Sequence, residues 1–249
     1  KVMANTRELR RRIKSVKNTA QITKAMQMVA ATKMRRAQNQ ALSGRPYSFN
    51  LSASLRRLLP LVDLASHPLL QATDSKKSGV IILSTDKGLC GSLNTNLFRM
   101  LSGSDLLSSD NIFYTVGKKG RQFIAKIGRN LVADFENLDT VTFRQASQLT
   151  KMIVDSFKLA EIGEAFIAYP HFGSTLRQEP IKIKLLPISV EDVIASVAKQ
   201  SGSEKEIASS QTPRNDEGGD FLFEPDLKAL LDYILVHHIQ IKIYQALME

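Results

Sequence analysis

The sequence predicts an α/β protein: a long antiparallel two-helix coiled coil, built from the N- and C-terminal segments, joined to a Rossmann-like α/β globular foot. Three observations carry this. Residues 5–42 contain neither Gly nor Pro, and small or apolar residues recur there in steps of four and three at Leu9, Ile13, Val16, Ala20, Ala30, Met34, Ala37 and Ala41. Between Gly79 and Pro187, short apolar runs alternate with amphipathic stretches, the pattern of strands joined by crossover helices. The four-three beat then returns at Leu227, Leu231, Ile234, His238, Ile241, Gln245 and Met248.

The first stretch is the longest element. A 3.5-residue repeat sustained for this distance argues for a coiled-coil helix, which at ~1.5 Å per residue reaches on the order of 55 Å. Thr23 and Gln27 hold the beat in the middle. Arg7, Arg10, Arg11, Lys14, Lys17, Lys24, Arg35 and Arg36 fall in one arc beside and behind the apolar stripe. Ile22, Met26 and Val29 lie off the stripe, on a flank that one partner helix leaves uncovered. A second surface is expected to meet the helix there.

Ser43-Gly44-Arg45-Pro46 reads as an interruption of this helix, since Gly and Pro so close together stop or bend one. The helical beat resumes at Leu51, Leu55, Leu58, Leu59 and Val62, and residues 73–79 read as a loop. Strands are expected at Val80–Leu83, Ile112–Val116, Leu131–Phe135, Ala165–Tyr169 and Ile181–Leu186, the last alternating enough for a sheet edge. Helices are expected at Leu93–Leu101, Arg121–Ile127 and Phe143–Ile162, with Gly117-Lys118-Lys119-Gly120 ending a strand. Residues 189–220 are polar and weakly periodic, a mobile loop or insertion. Glu224-Pro225-Asp226 opens the final helix, with Pro at its first position and carboxylates at its positive end. No stop signal precedes Glu249, so that helix is expected to run on beyond it. The domain bounds are therefore 1–72 for the shaft helix and its continuation, 73–190 for the foot, 191–223 for the polar insertion and 224–249 for the second shaft helix.

Charge divides the chain in the same way. Residues 1–45 hold twelve of the 34 Lys and Arg and one of the 24 acidic residues, a net of +11, whereas the rest is close to neutral. A basic shaft predicts acidic surroundings: nucleic acid, an anionic surface or an acidic protein sleeve. No aromatic residue interleaves with the basic arc for base stacking, and a solvated coil face accounts for it equally well. Cys90 is the only cysteine, which excludes a disulfide framework and a thiolate zinc site. No apolar run approaches the roughly 18 residues needed to span a membrane, and residues 1–4 form neither a secretory nor a transit signal. Gly88-Leu89-Cys90-Gly91 follows a strand and precedes a helix, where doubly wound folds bind phosphate. It lacks the third Gly and the ribose-binding acid of the dinucleotide fingerprint, and Gly117–Gly120 lacks the Walker pattern, so a tight structural turn is the better reading. His67, His171, His237 and His238 have no partners at metal-ligand or triad spacing.

Particular blocks resemble a known family. Residues 13–19 (IKSVKNT) and 22–31 (ITKAMQMVAA) resemble the N-terminal signature of the gamma subunit of rotary F-type ATP synthases. The resemblance continues in residues 84–96 (STDKGLCGSLNTN), in Gly117-Lys118-Lys119-Gly120, in Phe223-Glu224-Pro225-Asp226 and in Ile243-Tyr244-Gln245-Ala246-Leu247, all in family order. It implies a non-catalytic central-stalk rotor that turns inside a ring of alpha and beta subunits and couples proton or sodium flow to ATP synthesis or hydrolysis. It implies no catalytic residue, cofactor or metal. Partners would be that hexamer, the small epsilon (or delta) stalk subunit and the c-subunit membrane ring. By position, Lys24, Met26 and Val29 would meet the catalytic collar, and Phe221 and Glu224 the polar loops of the membrane ring. Cys90, Asn94 and Asn96 would form the foot turn, structural or near the small stalk subunit. The implied location is peripheral, on the cytoplasmic side of a bacterial inner membrane or the matrix side of the mitochondrial one. Members of the family continue past Glu249 into a longer helix. The cysteine pair of chloroplast members has no counterpart beside a single Cys, and residues 201–219 match no family block. The alternative left by the residues themselves is a basic coiled-coil nucleic-acid-binding protein.

Overall fold

A computed structural model describes residues 6–61, 67–137, 141–189 and 227–249. The chain divides into two compact units, Lys1–Ser43 and Gly44–Glu249. Helix α1 spans Thr6–Leu58. The expected break at Ser43–Pro46 does not occur. Pro46 lacks only the N–H that would reach the Leu42 carbonyl, and Gly44 is there for another reason. A Cβ on Gly44 would lie 2.9 Å from Met248 Cε and 3.0 Å from Gln245 Oε1, so its bare backbone lets two helices approach closely.

In the first unit, every residue from Thr6 to Ala37 is exposed, including the stripe residues Leu9, Ile13, Val16 and Met34. Three hydroxyls on this helix satisfy themselves locally. Thr19, Thr23 and Thr32 donate to the carbonyls of Ser15, Thr19 and Met28 at 2.8–3.0 Å. Glu8 and Arg12 pair across one turn at 3.1 Å.

The second unit is built on a five-stranded sheet in the order β3-β2-β1-β4-β5. Its strands are β1 (Ser78–Leu83), β2 (Ile112–Val116), β3 (Asn130–Phe135), β4 (Glu164–Ser174) and β5 (Arg177–Leu186). The first four pair in parallel, and β5 returns antiparallel to β4 at the edge. Helices α2 (Leu93–Ser102), α3 (Lys118–Lys126), α4 (Phe143–Lys158) and α5 (Leu227–Met248) complete the layers. Because strand side chains alternate between faces, β1 feeds two cores. Val80 and Ile82 pack with Leu97, Leu101, Phe113 and Ile124. Ile81 and Leu83 pack with Leu149, Ile153 and Phe157 of α4, Leu55 of α1, and Leu235, Ile239 and Ile243 of α5.

Three sequence readings change here. The Gly117–Gly120 stretch does not merely end β2, because α3 begins at Lys118. Gly117 has φ +95 and leaves 2.2 Å between a would-be Cβ and the Ser84 carbonyl oxygen, so only glycine fits. Helix α4 stops at Lys158 rather than Ile162; Ala160 has φ 54 and ends the helix, and so leaves the helical stripe. Helix α5 is buried on more than the expected stripe: Leu235, Ile239, Ile243 and Ala246 enter the core shared with α4. It is a core element of the foot as well as a partner of α1. The contacts of Gly44 with Gln245 and Met248, and of Tyr47 with His237, run in opposite chain directions, the antiparallel arrangement the sequence predicts. The polar stretch 190–226 lies outside the described residues, and Phe221 and Glu224 with it.

Candidate functional site

No described group of three or more His, Cys, Asp or Glu side chains could hold a metal ion. The candidate site is instead a pair of surfaces, one on each unit. On the first, Ile22, Met26 and Val29 stand at i, i+4 and i+7, which places them on one face of an α-helix. They are 62%, 52% and 58% exposed. Lys24 is only two residues from Met26 and so projects about 200° away around the helix. The structure therefore brings Met26 and Val29 together and leaves Lys24 on the far side, with the basic arc. An apolar flank with a basic arc running from its edge round to its back suits a helix surrounded by a partner rather than laid in a single groove.

On the second unit, the turn after β1 is fastened by Asn94. Its Oδ1 accepts from the Thr85 N–H at 3.3 Å, and its Nδ2 donates to Thr85 Oγ1 at 2.7 Å and to Cys90 Sγ at 3.2 Å. Thr85 Oγ1 donates onward to the Lys87 carbonyl at 2.7 Å. Asn96 lies one turn outward and donates to Ser92 Oγ at 3.2 Å. Asn94 and Cys90 therefore shape the turn, and Asn96 stands half-buried on α2, where it also accepts from Arg99 Nη1 at 3.4 Å. Leu89, with φ 63 and 96% exposure, is the projecting apolar residue of the loop, and the sequence did not single it out.

Residues at the start of the same turn also fasten the beginning of α3. The N–H groups that open α3 are already occupied: Lys118 donates to Asp86 Oδ1 at 2.9 Å, Lys119 to the Thr85 carbonyl at 3.0 Å, and Gly120 to Ser84 Oγ at 2.7 Å. A phosphate there would have to displace a carboxylate of the chain itself. At the Gly88–Gly91 turn, which leads into α2, the Leu93 N–H donates to the Cys90 carbonyl at 3.4 Å and the Asn96 N–H to the Ser92 carbonyl at 2.8 Å.

A third cluster, which sequence reasoning missed, joins α1, β4 and α5 around the buried carboxylate of Glu249. The residues are separated by 204 and 78 positions, and no local pattern announces them. A further tie, His67, caps a short 3-10 turn by accepting from the Leu69 N–H at 3.1 Å through Nδ1. Its other nitrogen is then the donor to Asp232 Oδ1 of α5, at 2.5 Å.

The family model described as "ATP synthase" matches residues 5–249. The "ATP synthase gamma chain" of Methylacidiphilum infernorum is 42% identical over 252 residues, covering 99% of this chain and 82% of that relative. That of Akkermansia muciniphila is 40% identical over 248 residues, covering 99% and 81%. A chain from a structure of the central stalk and c-ring of Tetrahymena thermophila mitochondrial ATP synthase superposes with a TM-score of 0.63 over 91% of both chains. At 22% identity that likeness concerns the fold. A basic exposed helix, an α/β foot and a match running almost end to end agree: the chain belongs to the family of ATP synthase gamma subunits, the non-catalytic central-stalk component of that complex.

Proposed function

We propose that the chain is the rotor of an F-type ATP synthase, turning within the alpha/beta hexamer and seated by its foot on the c-subunit ring, with the small epsilon or delta subunit beside it. One observation carries the reading: a helix exposed from Thr6 to Ala37 that is basic on one side and carries the apolar flank of Ile22, Met26 and Val29 on another. An isolated helix of that composition has marginal stability in water, and its apolar flank requires cover. A surrounding collar supplies both. Asymmetric contacts around such a collar would favour open and closed nucleotide sites unequally as the helix turns, so that ion flow and ATP turnover are linked mechanically.

Met26 and Val29 make the collar contact in this reading, Lys24 faces acidic loops on the opposite side, and the turn of Cys90, Asn94 and Asn96 faces the small stalk subunit. Phe221 and Glu224 meet the membrane ring. No helix among the described residues is long and apolar enough to cross a membrane. In this reading attachment runs through the ring, at the cytoplasmic face of a bacterial inner membrane or the matrix face of a mitochondrial one.

The test is a native pull-down of the chain from its own membranes, tagged at the exposed turn of Leu176, with partners identified by mass. Recovery of alpha, beta, the small stalk subunit and the ring protein is the expected result. Salt-sensitive recovery of nucleic acid in their place would overturn the reading in favour of a nucleic-acid-binding coil.

A further inference from the structure

We propose that the buried Glu249 carboxylate is a positioning residue of the rotor, fixing α1 and α5 to strand β4 as a stiff joint through which torque passes between helices and sheet. This rests on the rotor reading above. Glu249 follows Met248 with its N–H donating to the Gln245 carbonyl at 3.2 Å, and its side chain is 3% exposed. Its Oε2 accepts from His171 Nδ1 at 2.5 Å and from the Phe172 N–H at 3.3 Å. Its Oε1 accepts from Arg45 Nη2 and from Gln245 Nε2, each at 3.3 Å. Arg45 Nη2 also donates to the Phe172 carbonyl at 2.9 Å. One carboxylate thus holds α1 through Arg45, β4 through His171 and Phe172, and its own helix through Gln245.

Burial alone would push the Glu249 carboxyl up. The hydrogen bond and charge of His171, the Gln245 amide and the Arg45 guanidinium outweigh it, and the group lies below the usual carboxylate range. It is therefore ionised and only accepts, which places the proton of the His171 bond on Nδ1. Tyr169 is the other titratable group here, edge-on to His171 at 6.4 Å between ring centres. Its hydroxyl is pushed up by burial and by the Glu249 charge, against the pull of Arg45, and stays neutral.

The position of this cluster gives it a mechanical meaning. Arg45 lies between Gly44, which brings α1 against Gln245 and Met248, and Pro46, which cannot donate to the helix ladder. The backbone of α1 is thinned at this point, and side chains supply the rigidity. Buried ion pairs add little net stability, because desolvation offsets their attraction. What they add is direction, since charge-assisted hydrogen bonds fix geometry where apolar surfaces slide. A joint under twisting load needs direction.

The experiment uses the assembled complex with its catalytic ring immobilised and a bead attached to the foot through Ser109→Cys in a Cys90→Ser background. Arg45→Met and Glu249→Gln are expected to widen the angular spread of the bead during a nucleotide dwell by about twofold, as a local opening adds compliance. Arg45→Lys, which keeps the charge, should recover part of the narrower spread. His171→Ala tests the same joint at a side chain that is 41% exposed, where truncation leaves no buried cavity, and should widen the spread less. If Arg45→Met and Glu249→Gln do not assemble, His171→Ala decides alone. An unsubstituted spread in His171→Ala, or in Arg45→Met, overturns the joint. A bead that never turns on the unsubstituted complex removes the rotor reading instead.

Discussion

The two units spend their apolar residues in opposite ways. In the foot, Val80, Ile81 and Ile82 are fully buried and each meets a core on one face of the sheet or the other. In the first unit, Leu9, Ile13, Val16, Ile22, Met26 and Val29 are all exposed. The foot is organised to fold, and the helix to be touched. Substitutions should therefore separate by region: those in the foot change stability, and those on the helix change what the complex does while leaving the chain almost equally stable.

The largest effects belong to the foot. Phe157 is 1% exposed in the core that joins α4, α5 and the sheet. Phe157→Ala should lower unfolding free energy by about 3–5 kcal/mol through lost burial and a residual cavity. Urea denaturation of the purified chain measures this, and a loss below about 1 kcal/mol would mean that the α4 core is not the foot's foundation. Gly117→Ala should follow at roughly 2–3 kcal/mol. It places a Cβ against the Ser84 carbonyl at a positive φ that L-residues avoid. An unchanged midpoint for this variant would mean that the turn after β2 relaxes freely, which its hydrogen bonds to Ser84 argue against.

A smaller effect has the opposite sign. His238 is 1% exposed, and neither ring nitrogen has a hydrogen-bond partner among the described residues. Burial, then the charges of Lys242 and His237, hold its pKa well below 6.5. His238→Leu removes two unpaired buried polar atoms and should raise stability by about 1–2 kcal/mol at neutral pH. The pH dependence sharpens the test. A depressed folded-state pKa means that the unfolded chain takes up a proton below 6.5 while the folded chain does not. The contribution of His238 is therefore present in full above 6.5 and is lost as pH falls, by up to roughly tenfold in the folding equilibrium per pH unit. His238→Leu should flatten the stability profile between 6.5 and 5. Glu249, also depressed, acts lower down. Its contribution is present above about 4.5 and disappears below it as the carboxylate protonates. Parallel profiles for the two proteins between 6.5 and 5 would show that His238 finds a partner in solution.

What the sequence disclosed follows the same division. The buried strands were legible because β1 and β2 are continuous apolar runs between polar turns, and periodicity reports burial directly. The long helix was legible for the same reason, although its stripe is exposed here rather than buried. Gly44 misled because a glycine in a helix signals a stop locally, whereas this one serves a helix 200 residues away in sequence. The second buried stripe of α5, Leu235, Ile239 and Ile243, was hidden because one beat was counted on a helix buried on several sides. Of the resemblance-derived contacts, Met26 and Val29 share a face and Lys24 does not, a distinction that three- and four-residue spacing makes and two-residue spacing fails. The Glu249 cluster depends on tertiary placement, and no spacing in the chain encodes it.

The smallest expected change in stability comes with the sharpest functional claim. Met26→Lys alters a side chain already 52% exposed in the first unit, so unfolding of the chain should shift by no more than about 0.5 kcal/mol. It adds a cation to the apolar flank, where a collar shaped for Met would have to desolvate it or pair it. A pair with an acidic group of the collar adds a contact that holds the helix at one angle, and an unpaired lysine raises the cost of the angles that bury it. Hydrolysis of ATP by the assembled complex should then persist, since the nucleotide sites are untouched, while the ions moved per ATP decline. Measuring proton or sodium uptake into vesicles against phosphate release gives that ratio directly. A ratio equal to the unsubstituted protein's would remove Met26 from the contact surface, and would shift attention to Ile22 and Val29 on the same face. A large loss of stability would break the comparison itself, since it would mean that the helix contributes to folding as the foot does.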